Sequence, residues 1–176
     1  IGLIGDKYVL SEPSYVPWES LDENKRAEEA RKMEVYAAMI DRMDQNIGRL
    51  LDKLRETGKD KNTLILFVSD NGASSEVVNL KDDDDSAPIG SMSRWVSLEK
   101  DWANVGNTPF RFYKNYSFEG GINSPCIAWG PTVIKPGSFS NTPGHFIDFM
   151  ATFVDITGAE YPGEFNGQQI VPLRGE

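Results

Sequence analysis

The chain reads as an α/β protein, and three stretches predict it. Thr63–Val68 (Thr-Leu-Ile-Leu-Phe-Val) is a run of β-branched, aromatic and aliphatic residues without a charge. Such a run is expected to be a strand buried on both faces, as inside parallel sheets. Ahead of it Met33, Tyr36, Ile40, Met43, Ile47, Leu50 and Leu54 step by three and four, which is one apolar stripe along a helix. Behind it Phe146, Phe149, Met150, Phe153 and Val154 draw a second stripe that stops at Gly158.

The central strand ends abruptly at Ser69-Asp70-Asn71-Gly72. Two oxygen-bearing side chains and a glycine past the carboxyl end of a strand are where open α/β sheets hold ligands. The same residues also make an ordinary turn, and the stretch alone favours the turn.

The other elements follow in chain order. Residues 1–20 carry Pro13, Pro17 and scattered aromatics with no period, and are expected to be extended. Ser20-Leu21-Asp22-Glu23 is a capping-box pattern, with Ser20 as N-cap and Glu23 three residues on. The helix it opens is expected over residues 21–57, with Gly58 stopping it, and its charged opening allows a separate turn or a kink. Its stripe and that of the later helix are both expected to pack on the sheet that holds Thr63–Val68. Lys81-Asp82-Asp83-Asp84-Asp85 reads as a solvated loop; the EF-hand spacing that would make it a calcium loop is absent. Trp95 and Trp102 point to a short helix or packed loop near the site, in a stretch long enough to be functional. Asn107–Pro125 is dense in aromatics and holds Gly120-Gly121, so its backbone turns closely beside something. Cys126–Trp129 reads as a second short buried strand, with Cys126 as a small apolar core residue. Asp148 is a candidate cap if the last helix begins late. The tail 159–176 is rich in Gly and Pro and is expected to be extended.

Composition narrows the function. A chain of 176 residues suffices for one domain with a core, and residues 1–176 are read as a single domain. Asp and Glu number 27 against 18 Lys and Arg, a net charge of −9, which argues against nucleic acid or an anionic membrane surface as the main partner. No apolar run approaches the roughly 20 residues needed to cross a bilayer. A single cysteine excludes an internal disulfide. With Ile1 at one end and Leu173-Arg174-Gly175-Glu176 at the other, the chain reads as a piece of something longer.

Taken together in order and spacing, several stretches resemble the sulfatase family, its arylsulfatase-like members in particular. They are Met33–Asp41 through Ile47–Leu51; Asn62–Ala73; and Thr108-Pro109-Phe110-Arg111 with Lys114 five residues before Glu119-Gly120-Gly121 and then Pro125. Asp148–Thr152 through Gly158, and Asn166-Gly167 through Pro172-Leu173, fit as well. The lysine and Glu-Gly-Gly at this distance from Asp-Asn-Gly carry most of the specificity.

The resemblance implies a partial alkaline-phosphatase-like sheet flanked by helices, from the middle-to-late part of a sulfatase catalytic domain. It implies hydrolysis of sulfate esters, aryl or saccharide, at a divalent cation, usually calcium. Asp70 and Asn71 match two of the family's four protein metal ligands, and such hard oxygens suit calcium. Lys114 matches the lysine that points at the sulfate or its leaving oxygen, where a fixed cation stabilises developing charge. If the parent follows the family, it is periplasmic or secreted.

The departures are equally specific. The family nucleophile is a formylglycine made from Cys or Ser in Cys-x-Pro-x-Arg, whereas Cys126 is followed by Ile127-Ala128-Trp129. His145, the only histidine, falls after Glu-Gly-Gly and reads as structural. Ile122-Asn123-Ser124 stand where the family often carries an Arg before Pro125. The chain by itself is therefore expected to be inactive. The alternatives are a phosphonate or phosphate monoester hydrolase of the same superfamily, or a non-catalytic domain that binds anionic saccharides or a protein.

Overall fold

The computed structural model describes residue 5 and residues 8–175, which fall in two compact units, Ile1–Lys135 and Pro136–Glu176. Within the extended lead-in expected over 1–20, residues 1–4, 6 and 7 lie outside the described residues; Glu176 does so in the tail. Trp18–Ser20 is a single 3-10 turn.

The first unit opens on α1, Glu23–Glu56, an unbroken helix without the kink its charged opening allowed. Ser20 is not its cap. The Ser20 hydroxyl donates back to Pro17 O at 2.7 Å, and Asp22 caps instead, its carboxylate accepting from Lys25 N at 2.8 Å. Asp caps as well as Ser and adds a negative charge at the positive end of the helix dipole. The helix stops where expected, at Thr57 and Gly58, the latter at φ 66°, a left-handed conformation that favours glycine. Lys32, with its side chain 4% exposed, joins α1 to a later helix α2, Glu99–Gly106. Its ammonium lies 3.0 Å from Glu29 and 2.7 Å from Glu99. Burial by itself would push Lys32 down, but the bonds to Glu99 and Glu29 outweigh it and hold the ammonium above the usual lysine range. Trp102 of α2 meets Trp18 with ring centroids 6.1 Å apart.

The α/β class is borne out, but the sheet differs from the one expected. Strand β1, Ile65–Val68, pairs antiparallel with β2, Cys126–Trp129, Ile65 opposite Trp129 and Val68 opposite Cys126. β1 is half-buried, not enclosed, and Phe67 is 44% exposed. Every residue of β2 is exposed, Cys126 among them, so neither the buried second strand nor the core cysteine is found. The stripe of α1 also stays open, with Tyr36, Ile40, Met43 and Leu50 each 40% exposed or more. The shared reason is a missing layer. Among the described residues of this unit the sheet holds two strands, which offer too little surface to cover an apolar face on both sides.

The second unit contains α4, Phe146–Thr157, and a hairpin of β3, Glu164–Phe165, with β4, Gln168–Gln169. His145 caps α4, its Nδ1 accepting from Ile147 N at 3.2 Å, while the Asp148 carboxylate accepts from His145 N at 2.7 Å. His145 is thus structural, as expected, and Asp148 is the reciprocal half of the cap, not the cap itself. The α4 stripe is left open, Phe146, Met150 and Phe153 being 41–53% exposed. In the tail, expected to be extended, Asn166 and Gly167 both take positive φ (51° and 77°), the geometry of a tight hairpin turn.

Candidate functional site

The site is built where β1 ends. Asp70 is exposed and Asn71 half-buried, directly past Val68. Asn71 Nδ2 donates to Gly72 O at 2.9 Å, and Ser69 Oγ donates to Asn71 O at 2.8 Å, which closes the turn on itself. The chain therefore makes the turn that Asp, Asn and Gly favour, and the turn presents the two oxygen-bearing side chains.

Two glycine contacts press this turn against the Glu-Gly-Gly segment, which forms the one-turn helix α3, Glu119–Ile122. Gly72 N donates to Gly121 O at 3.0 Å. A Cβ on Gly72 would lie 1.7 Å from Gly120 O, and one on Gly120 would lie 2.1 Å from Phe112 O. Only glycine permits backbones this close. The close turns that Gly120-Gly121 predicted are these, and what lies beside them is the Asp70–Gly72 loop.

Lys114 approaches the same loop. Its backbone N donates to Ala73 O at 3.0 Å, and its ammonium lies 2.9 Å from Glu76 Oε2. The hydrogen bond and charge of Glu76, slightly offset by burial and aided by the Asp70 carboxylate, hold the Lys114 ammonium above the usual lysine range. Glu76 in turn is held below the usual carboxylate range, first by Lys114 and then by Ser74 Oγ, which donates to it at 3.0 Å. The Lys114 N–Ala73 O bond thus brings the lysine backbone within three residues of Asp70, 44 positions earlier in the sequence. The loop behind Lys114 is stiffened by aromatics: Phe112 stacks on Tyr116 at 4.5 Å, and the Arg111 guanidinium lies 4.4 Å from the Phe118 ring centre.

Two residues that carried no role in the sequence reading enter here. Glu76 had no signal beyond its charge. Asn107, which directly follows α2, bridges two loops: its Oδ1 accepts from Ala73 N and its Nδ2 donates to Phe112 O, both at 3.1 Å. Its place at the head of the Asn-Thr-Pro-Phe-Arg stretch was the one clue available.

The acidic run is turned inward on its own loop. Asp83 accepts from Trp95 N, and Asp84 Oδ1 accepts from Ser86 N at 2.9 Å and Ser86 Oγ at 2.6 Å. Among the described residues no group of three or more His, Cys, Asp or Glu side chains is placed to hold a metal ion. Asp70 and Asn71 offer a carboxylate and an amide oxygen, donors that fit a hard cation in kind and fall short of a full shell in number.

Comparison with known proteins identifies the lineage of this arrangement. The sulfatase family model matches residues 11–159. An uncharacterized sulfatase of Schizosaccharomyces pombe is 33% identical over 171 residues, covering 90% of this chain and 31% of the relative. An arylsulfatase of Klebsiella aerogenes is 33% identical over 168 residues, covering 90% of this chain and 36% of its own length. A steryl-sulfatase of Mus musculus is 31% identical over 144 residues, 80% of this chain and 20% of the relative. The chain thus spans about a third or less of the length of these curated relatives. The chain belongs to the sulfatase family.

Proposed function

We propose that this chain supplies one side of the active site of a sulfuric ester hydrolase, acting on an aryl or saccharide sulfate with calcium as the resident cation. The observation that carries the reading is the backbone hydrogen bond from Lys114 N to Ala73 O, which brings the lysine segment beside the Asp70–Asn71 turn, itself pinned to α3 by the bond from Gly72 N to Gly121 O. Asp70 and Asn71 would hold the cation through their side-chain oxygens. The chemistry such an ion supplies is polarisation of the sulfate oxygens.

Lys114 has the complementary task. One of its three N–H donors is engaged by Glu76, and among the described residues no other side chain is shown to take the remaining two. As the S–O bond breaks, negative charge grows on the ester oxygen, and a fixed ammonium beside it lowers that barrier. Neither group can begin the displacement, which needs a nucleophile. By family that nucleophile is a formylglycine in a Cys-x-Pro-x-Arg context, which residues 1–176 do not contain. Exposed Cys126 stands in a different context and is not assigned the role.

The expected result for residues 1–176 with a chromogenic aryl sulfate and calcium is no turnover. Turnover that survives Cys126→Ser and is lost in Lys114→Ala would overturn this assignment of roles, because the nucleophile would then lie among these residues.

A further inference from the structure

Three hydrogen bonds fasten the turn that carries Asp70 to the segment that carries Lys114 and the glycines. Gly72 N donates to Gly121 O, Lys114 N donates to Ala73 O, and Ala73 N donates to Asn107 Oδ1. The first two join backbone to backbone and would survive most substitutions. The third depends on a side chain. Asn107 also reaches the other way, its Nδ2 donating to Phe112 O, two residues before Lys114.

We infer that Asn107 is a positioning residue that sets the spacing between Asp70 and Lys114 by clamping the two loops with the two ends of one amide. It rests on the reading of these two residues as facing one substrate, but concerns their spacing and not their chemistry. An amide suits this position through its donor–acceptor pairing. Ala73 N–H needs an acceptor and Phe112 C=O needs a donor, both on one short, flat side chain. A carboxylate has no donor, so in Asn107→Asp an anionic oxygen would face the Phe112 carbonyl. Leucine has neither, and would leave both backbone groups unpaired in a half-buried place. Space is tight as well: Asn107 Nδ2 lies 3.2 Å from where a Cβ on Gly72 would stand.

A protonated aspartic acid has one donor and one acceptor in the shape of the amide, so acid should restore the clamp in Asn107→Asp. The test is NMR of the 176-residue chain, following the backbone amides of residues 73 and 114 and the titration of the Lys114 side chain. In the parent sequence Asp70→Asn should move the Lys114 midpoint down. In Asn107→Leu that response should be smaller than in the parent, a non-additivity that reports the distance between the two groups. In Asn107→Asp the two amide signals should leave their parent positions at neutral pH and return to them in acid, against the parent at the same pH. An Asp70 response in Asn107→Leu as large as in the parent would overturn the inference. Should Asn107→Leu fail to fold, an acid-insensitive spectrum of Asn107→Asp would overturn it as well. A smaller response supports the clamp whether or not the protein acts on sulfate esters.

Discussion

At the scale of single residues the site is an arrangement of charges near one another at the surface. Lys114 pairs with Glu76 in direct contact, and the Asp70 charge acts on it in the same direction. Both raise its affinity for a proton, Glu76 more than Asp70. Removing the Glu76 charge should lower the pH at which the ammonium titrates. Glu76→Gln is therefore expected to shift the Lys114 side-chain titration down, read by NMR, and to quicken its reaction with an amine-directed acylating reagent at fixed alkaline pH. An unchanged midpoint would mean that the pair does not persist in solution. The Glu76 contact joins positions 38 apart, and neither Glu nor Lys has a local pattern that announces it.

At the scale of elements the contrast is between glycines that are required and glycines that are tolerated. Gly72, Gly120 and Gly121 each touch backbone where a Cβ would stand, at 1.7, 2.1 and 2.0 Å. Gly48, inside α1, has nothing within 4 Å of that position. Gly72→Ala must separate the Asp70 turn from α3, and a loss of about 2–4 kcal/mol is expected by analogy with overpacked sites. Gly48→Ala should stabilise by about 0.5–1 kcal/mol, because alanine restricts the unfolded chain and suits a helix. Urea unfolding of both variants checks the pair, and equal effects would contradict it. The pairing of Gly-Gly with a close approach was legible in the sequence as a demand for room. Its partner was not, since nothing near Gly120 points to a loop nearly fifty residues earlier.

At the scale of the whole molecule the two proposed ligands of the cation are outnumbered by the positions they would have to fill. Calcium takes about six to eight oxygens, and one carboxylate with one amide leaves most of that shell to water. The Lys114 ammonium, on a segment hydrogen-bonded to the same loop, adds a positive charge that works against a second cation there. Calorimetric titration of the 176-residue chain with calcium should therefore give binding weaker than millimolar or none. Tight binding abolished by Asp70→Ala would reveal further ligands, with Asp82 and Asp85 the first to test, since Asp83 and Asp84 already accept hydrogen bonds within their loop.

The sequence by itself determined the local features: α1 with its glycine stop, α4 and its stripe, the strand before Asp70, the structural histidine and the family. Each rests on periodicity, capping or motif spacing, which act over one or two turns of chain or survive as pattern. The hairpin at Asn166-Gly167 departs from the extended tail expected there, although Asn-Gly is itself a turn signal. Only the tertiary structure decided that β1 pairs antiparallel with β2, that Asp22 and not Ser20 caps α1, and that Asn107 and Glu76 stand at the site. It also decided how much apolar surface stays uncovered. A run such as Thr63–Val68 records that a strand suits enclosure, but enclosure needs neighbouring layers, and no local rule counts those.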